Sequence, residues 1–294
     1  MDAQRVVLNS VAFHAFLKKQ EIDPLHYAVD FTSFPRYFRR NHYMKSSSTS
    51  LQDLTSHLEE VTTHAIVSIN DDFIAIFPNE MKQSIQCSSI PAFIRGEYYA
   101  MECSSGFAVQ VLAPEAGETI VDLCCAPGPK LAYIADLMSR KGIVYGVDVS
   151  LDRLSTCKSL LWKYGLVQHA GTVNDWTVRL VHGDGRNTTL QKCILDTSQM
   201  HGLDFQRRRN NKSTRVRWKQ SNVVDNCPTI DRILVDAECT HDGSIKHLLK
   251  SAASVESFEN YVHTFLNAVE VDRILLLQRD LLQYVPYFLY VFIL

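Results

Sequence analysis

The sequence predicts a doubly wound α/β fold, in which a parallel sheet is flanked by helices and preceded by a small α+β domain. Three observations carry this expectation. Four apolar runs, TIVDLCC, GIVYGVDV, VRLVHGDG and DRILVDAEC, are interleaved with helix-length stretches such as LAYIADLM and LDRLSTCKSLLWKYG. Each run delivers an aspartate at its carboxyl end: Asp122, Asp148, Asp184 and Asp236. The residues before position 96 have another texture, with short β-prone pieces separated by polar connections.

On this reading residues 1–95 form the small domain and residues 96–294 the α/β domain. The first twenty residues place Val7, Val11, Phe13 and Leu17 at helical spacing, which predicts one amphipathic helix. Asp2, Arg5 and His14 break its apolar character and no small-residue cleavage pattern follows, so it does not read as a secretory signal. An intracellular protein is expected, with nucleus and cytoplasm both open. DPLHYAVDFTSFP reads as a connection and RYFRRNHYM as a basic strand. SSSTS before LQDLTSHLEEV predicts an N-capped helix. AIVSIN and FIAIFP flank Asp71 and Asp72 as the arms of a hairpin. EYYAMECSSGFAVQVLAP is read as a helix and APEAG as a turn before the first parallel strand. Between Asp184 and Ile233 lies a long polar stretch with a basic insert around 205–220, where seven of the thirteen residues from Arg207 to Lys219 are Lys or Arg. A loop of that length is expected to bind something or to be disordered.

Composition narrows the classes. With 294 residues, 46% hydrophobic, and a net charge of -2, the chain can bury a large core but offers no bulk charge for nucleic acid. Any basic surface must be local. Eight cysteines without a C-x-x-C pair suggest free thiols and no metal. No apolar run reaches the ~18 residues of a membrane span; the carboxyl-terminal YVPYFLYVFIL is shorter and is broken by Pro286. No membrane partner is expected, and a monomer is.

The loop after the first parallel strand, Cys124-Cys125-Ala126-Pro127-Gly128-Pro129-Lys130, holds one glycine between two prolines. It lacks the G-x-G-x-x-G of a dinucleotide fold and the G-K-[ST] of a phosphate loop. In open parallel sheets, ligands sit beyond the carboxyl ends of the strands. Repeated carboxylates there suit ribose hydroxyls, an exocyclic amine and a cationic centre, and S-adenosylmethionine carries all three. Any one of the aspartates taken alone reads as a turn former or helix cap. Their recurrence after successive strands argues for a shared pocket.

These residues resemble the NOP/Sun-type (RsmB/NOP class) RNA cytosine-5 methyltransferases, whose loop is usually D-x-C-A-A-P-G-G-K-T. The resemblance runs through MECSSGFAVQVLAPEAGETIVDLCCAPGPK, YGVDVSLDRL, VHGDGR and ILVDAEC, about residues 30–282, and FPRYFRRN resembles the opening of that family's small RNA-binding domain. It implies a Rossmann-like, S-adenosylmethionine-dependent methyltransferase fold acting on tRNA or rRNA. Cys124 to Lys130 would wrap the methionine part of the cofactor, Asp148 would hold the ribose, Asp184 the adenine amine, and Asp236 would face the target base. Arg36, Arg39 and Arg40 in the basic strand, with Arg207, Arg208 and Arg209 in the insert, are the candidate phosphate contacts, and Tyr37, Phe38 and Trp218 the candidate stacking surfaces.

The chemistry sets its own demand. Carbon 5 of cytosine is a poor nucleophile until a thiolate adds at carbon 6, so a cysteine with a neighbouring base is required. Cys239 and Asp236 share the DAEC loop and are the candidate catalytic residues; Cys124 and Cys125 read as packing residues. The sequence departs from the family in three places. Pro129 stands where glycine is usual, removing a backbone donor. Glu238 replaces the proline of D-A-P-C, placing an anion beside Cys239 unless it points away. The family's attacking cysteine lies in a later T-C-S motif, and no T-C-S occurs here. The expectation is a C-terminally shortened relative. Two alternatives stay open: a catalytically inactive binder of cofactor or RNA, and a methyltransferase for a substrate other than RNA. Cys239 is either a support residue or a replacement nucleophile, with nearby His241 as a possible base.

Overall fold

The computed structural model describes residues 3–29, 34–42, 66–77, 91–166, 176–186, 194–196, 230–283 and 291–293. The predicted LQDLTSHLEEV helix and the basic insert, with Arg207, Arg208, Arg209 and Trp218, lie outside the described residues.

The amino-terminal stretch forms two helices rather than one, α1 (Ala3–Asn9) and α2 (Val11–Lys19). Ser10 divides them. Its extended backbone and its hydroxyl, which accepts the Phe13 amide at 3.1 Å, make it the N-cap of α2, and the hydroxyl also donates to Glu259. The restart leaves Val11 82% exposed, while Val7, Phe13 and Leu17 stay buried. These buried residues pack on Leu248, Phe258 and Val262 of the carboxyl-terminal helices.

A four-stranded antiparallel sheet follows, with order β2-β3-β1-β4, made of β1 (Arg36–Arg40), β2 (Ile66–Ser68), β3 (Phe73–Ile76) and β4 (Tyr98–Ala100). The expected hairpin is present, with Ile66 paired to Ile76. The helix expected from residue 97 begins later. Tyr98–Ala100 pairs with β1, and after the short α3 (Pro91–Ile94) the long helix α4 spans Cys103–Leu112. Adjacent tyrosines favour a strand, which the sequence reading passed over.

The second sheet has the order β10-β9-β5-β6-β7-β8. Its central strands β9 (Arg232–Val235), β5 (Thr119–Asp122), β6 (Gly142–Asp148) and β7 (Trp176–His182) are mutually parallel. These are the four predicted strands. Two edge strands were not anticipated: β8 (Ile194–Asp196), antiparallel to β7, and β10 (Val291–Ile293), parallel to β9. The apolar carboxyl-terminal run therefore supplies a strand that pairs with the edge of β9. Helices α4, α5 (Pro129–Leu137) and α6 (Leu151–Lys163) share one core with the sheet, built from Leu131, Ile134, Leu154, Leu161 and Val178. The other face packs Val121, Tyr145 and Val235 against Leu281 of α9 (Ala268–Gln283), which follows α7 (Ile245–Ser251) and α8 (Val255–Phe265).

Chain order reverses at β5. From there β6 and β7 run one way, and β9 returns on the other side, so the loops after β5 and β9 splay apart at their carboxyl ends. This opens the crevice in which doubly wound sheets hold ligands.

Candidate active site

The loop after β5 is fixed from both flanks. The Leu123 amide donates to the Leu234 carbonyl at 3.0 Å and the Cys125 amide to the Val147 carbonyl at 2.9 Å. Gly128 has φ 109°, a conformation L side chains rarely adopt, and a Cβ there would lie 2.7 Å from Cys157 Sγ. Glycine is thus required on both counts. Pro129 then occupies the first turn of α5, where its φ suits the helix and its missing N–H costs no intrahelical bond. It does remove one donor that a helix N-terminus could offer an anion.

Each strand end contributes a carboxylate. Asp148 is buried, accepting from the amides of Ala126 at 3.2 Å and Ser150 at 2.9 Å. Arg153 on α6 reinforces this junction: its guanidinium lies 3.6 Å from Asp148 and donates to the Ala126 carbonyl at 2.5 Å. Asp184 is gripped by the Arg186 fork, with a shortest contact of 2.6 Å, which holds its carboxyl below the usual range. Asp236 accepts from Lys130 Nζ at 2.6 Å across the crevice between β5 and β9.

A cavity of about 940 Å³ is bordered by Cys124, Cys125, Ala126, Pro127, Pro129 and Lys130, by Asp148, Asp184 and Asp236, and by Cys239. Two expected members are not on its wall. Gly128 packs against α6, and Asp122 lies beneath, 1% exposed, accepting from the Cys124 amide at 3.1 Å. Burial, then the nearby Asp236, raises Asp122 to about 7. Burial, then Asp122, pushes the Cys124 thiol up to about 12. Cys125 is raised as well, by its hydrogen bond with Cys157 and by burial. Neither thiol is poised to ionise.

Of the basic strand, Arg36 and Tyr37 border the cavity, and Arg40 is half-buried. Arg39 and Phe38 correct the sequence reading: both are 0% exposed and present nothing to a phosphate or a base. Arg39 donates to Asp136 of α5 at 2.6 Å, with its guanidinium 3.9 Å from the Tyr99 ring and 4.3 Å from the Tyr133 ring. The alternation of β1 points it into the junction between the two sheets rather than outward. Glu238 does point away from Cys239, towards Arg273 of α9 at 3.0 Å.

Sequence reasoning missed Arg153, Lys246 and His247 on the cavity wall. Arg153 was signalled by its place in the first turn after the Ser150 cap. The other two arrive on α7, and no local spacing announces them. Lys246 forms an ion pair with Glu102, so α7 meets the start of α4 across the cavity. Among the described residues, no group of three or more side chains is arranged to hold a metal, and no helix is long and apolar enough to cross a membrane.

A parallel sheet with carboxylates at successive strand ends around one hollow defines a Rossmann-like methyltransferase fold. Residues 109–215 match the family model described as 16S rRNA methyltransferase RsmB/F. Over 83 residues the chain is 37% identical to the 28S rRNA (cytosine-C(5))-methyltransferase of Mus musculus, covering 28% of this chain and 10% of that protein. Over 145 residues it is 28% identical to a probable ribosomal RNA small subunit methyltransferase B of Synechocystis sp., covering 45% of this chain and 32% of the relative. The solved structure of PH0851 shares the fold at a TM-score of 0.56 and 22% identity, over 87% of this chain and 44% of that one. Over these segments the chain is similar to the NOP/Sun-type, RsmB/F-related methyltransferases, and it aligns with less than half of each of these relatives.

Proposed function

We propose that this chain binds S-adenosylmethionine and transfers its methyl group to carbon 5 of a cytosine in rRNA or tRNA. The observation that carries the reading is the convergence of the Cys124–Lys130 loop with Asp148, Asp184 and Asp236 on one cavity. The residues suit the cofactor. Asp148 retains acceptor capacity for a ribose diol. Asp184 is an acceptor for an exocyclic amine once Arg186 yields, and the group of carboxylates favours a cation. When bound, the cofactor supplies an electrophilic methyl on a sulfonium. The cavity exceeds what a nucleoside of that size fills, leaving the side of Lys130, Asp236 and Cys239 for a target base. Arg36 and Tyr37 extend that wall from the small sheet, where a phosphate and a base plane would lie.

A second reading, a silent binder of cofactor or RNA, is favoured by the Cys124 and Cys125 thiols on the cavity wall, both of which their surroundings hold protonated. The two separate in one assay. Purified chain, S-adenosylmethionine and unmodified rRNA or tRNA transcripts are incubated, and nucleosides are analysed by mass spectrometry. The proposal expects 5-methylcytidine in the RNA. Cofactor binding with no 5-methylcytidine would favour the silent binder, and label transferred to protein or small molecules would favour a non-RNA methyltransferase.

A further inference from the structure

The cavity is bridged by an ion pair between two of its walls. Glu102 sits at the N-cap position of α4 with an extended backbone, yet its side chain caps no amide of that helix. It accepts instead from Lys246 of α7, and both side chains are about half exposed. A carboxylate at a helix start is ordinarily drawn to the free amides and positive dipole end beside it. Glu102 forgoes them and holds a cation.

That cation belongs to a basic surface. Helix α7 reads IKHLLKS and contains no acid. Leu248 anchors it in the core, while Lys246, His247 and Lys250 are exposed. Lys246 and Lys250 are four residues apart, which puts both ammonium groups on one face. Glu102 answers the first, and Lys250 has no ion pair among the described residues. The acids of the preceding loop are engaged elsewhere: Asp236 by Lys130, Glu238 by Arg273 of α9, and Asp242 by the Thr240 hydroxyl. His247 adds a ring to this surface, stacked on His241 with centroids 4.5 Å apart. On the Glu102 side the wall carries Arg36 and Tyr37 of β1, whose Tyr37 carbonyl accepts the Met101 amide at 3.3 Å. Cations and ring faces on both sides of a cavity with room for a base suit a single strand, whose phosphates pair with the former and whose bases stack on the latter.

We propose that the exposed face of α7 is an RNA contact in which Lys246 is a phosphate ligand masked by Glu102, an inference that rests on the RNA-directed function proposed above. An arriving phosphodiester replaces the Glu102 carboxylate on Lys246, one oxyanion for another, and the bridge opens as the strand enters. Glu102 therefore competes with RNA for the same cation.

The test measures binding of a fluorescein-labelled, cytosine-containing single-stranded RNA oligonucleotide to the full chain by anisotropy, over about 50 to 200 mM potassium chloride. Glu102→Gln should tighten binding about two- to fivefold, the worth of an exposed ion pair. Lys246→Met should flatten the slope of log affinity against log salt by about 0.7, the share of one phosphate on a single strand, and weaken binding about fivefold near 0.1 M salt. Lys246→Arg keeps the charge and should keep the slope. The decisive comparison is the double variant: with Lys246→Met in place, Glu102→Gln should change affinity by less than about 1.5-fold, because the masked cation is gone. Titration with S-adenosylmethionine should give every variant the affinity of wild type. An equal gain from Glu102→Gln in both backgrounds, or a slope that Lys246→Met leaves unchanged, would overturn the proposal and leave the RNA-directed function standing. So would a slope lost in Lys246→Arg, or cofactor binding lost together with RNA binding, since either marks the bridge as a prop of the fold. Absence of RNA binding by wild type would sink that function and the masked contact with it.

Discussion

Replacing Arg39 by methionine is expected to cost about 3–5 kcal/mol of folding stability, far more than the loss of a surface ion pair. The substitution strands Asp136, 3% exposed at its side chain, with the Tyr99 hydroxyl at 3.0 Å and Arg140 at 4.0 Å as its remaining neighbours. Removing both charges should be milder. Arg39 Nε and Nη1 and Asp136 Oδ1 already have no hydrogen-bond partner, so the pair bears a desolvation penalty that its attraction offsets in part. The double variant Arg39→Met with Asp136→Leu should recover more than half of the loss in urea unfolding. A single-variant cost below about 1 kcal/mol would place the pair among ordinary surface bridges. The link to the site is direct. Arg39 lies three residues from Arg36 on β1, and Asp136 lies on α5, whose first turn follows the Gly128 cap, so the pair sets where the small sheet meets the cavity.

Asp122→Asn is expected to stabilise the chain at pH 8 and to have almost no effect near pH 4. Burial and the neighbouring Asp236 raise this carboxyl to about 7, well above the ordinary ~3.9 of an unfolded chain. A raised folded pKa means that Asp122 favours folding fully while neutral in both states, below about pH 4. As pH rises from there to about 7, the unfolded state ionises first and the contribution is lost, by the order of 3–5 kcal/mol in all. Asparagine keeps an oxygen for the Cys124 amide, which donates at 3.1 Å, and carries no charge to desolvate. Urea melts at pH 4.5, 6 and 8 should therefore show a gap between variant and wild type that widens with pH. A gap independent of pH would mean that Asp122 is ionised in the folded protein throughout this range.

What the sequence revealed follows from the range of the forces involved. The four parallel strands were legible because alternation of apolar runs with helix-length stretches is a local pattern, and an aspartate at each strand end is local too. Asp148, Asp184 and Asp236 were found this way, and the sheet brings them to one hollow. What failed was tertiary. An arginine in RYFRR reads as exposed because arginine is seldom fully buried. Nothing nearby in sequence announces that Tyr99, Tyr133 and Asp136 converge on Arg39. Glu238 looked hostile to Cys239 because Arg273, which draws it away, lies on a distant helix. The break at Ser10 needed a capping contact rather than a change in periodicity, and β8 and β10 are too short to show a pattern of their own.

Isothermal titration of S-adenosylmethionine into the purified chain tests the central claim most directly, because the donor must lie across the ends of the parallel strands. Saturable one-to-one binding is expected, weakened roughly 10- to 100-fold in Asp148→Ala through loss of a charged acceptor. A folded chain that shows no saturable binding, or an Asp148→Ala variant that binds as tightly as wild type, would contradict it.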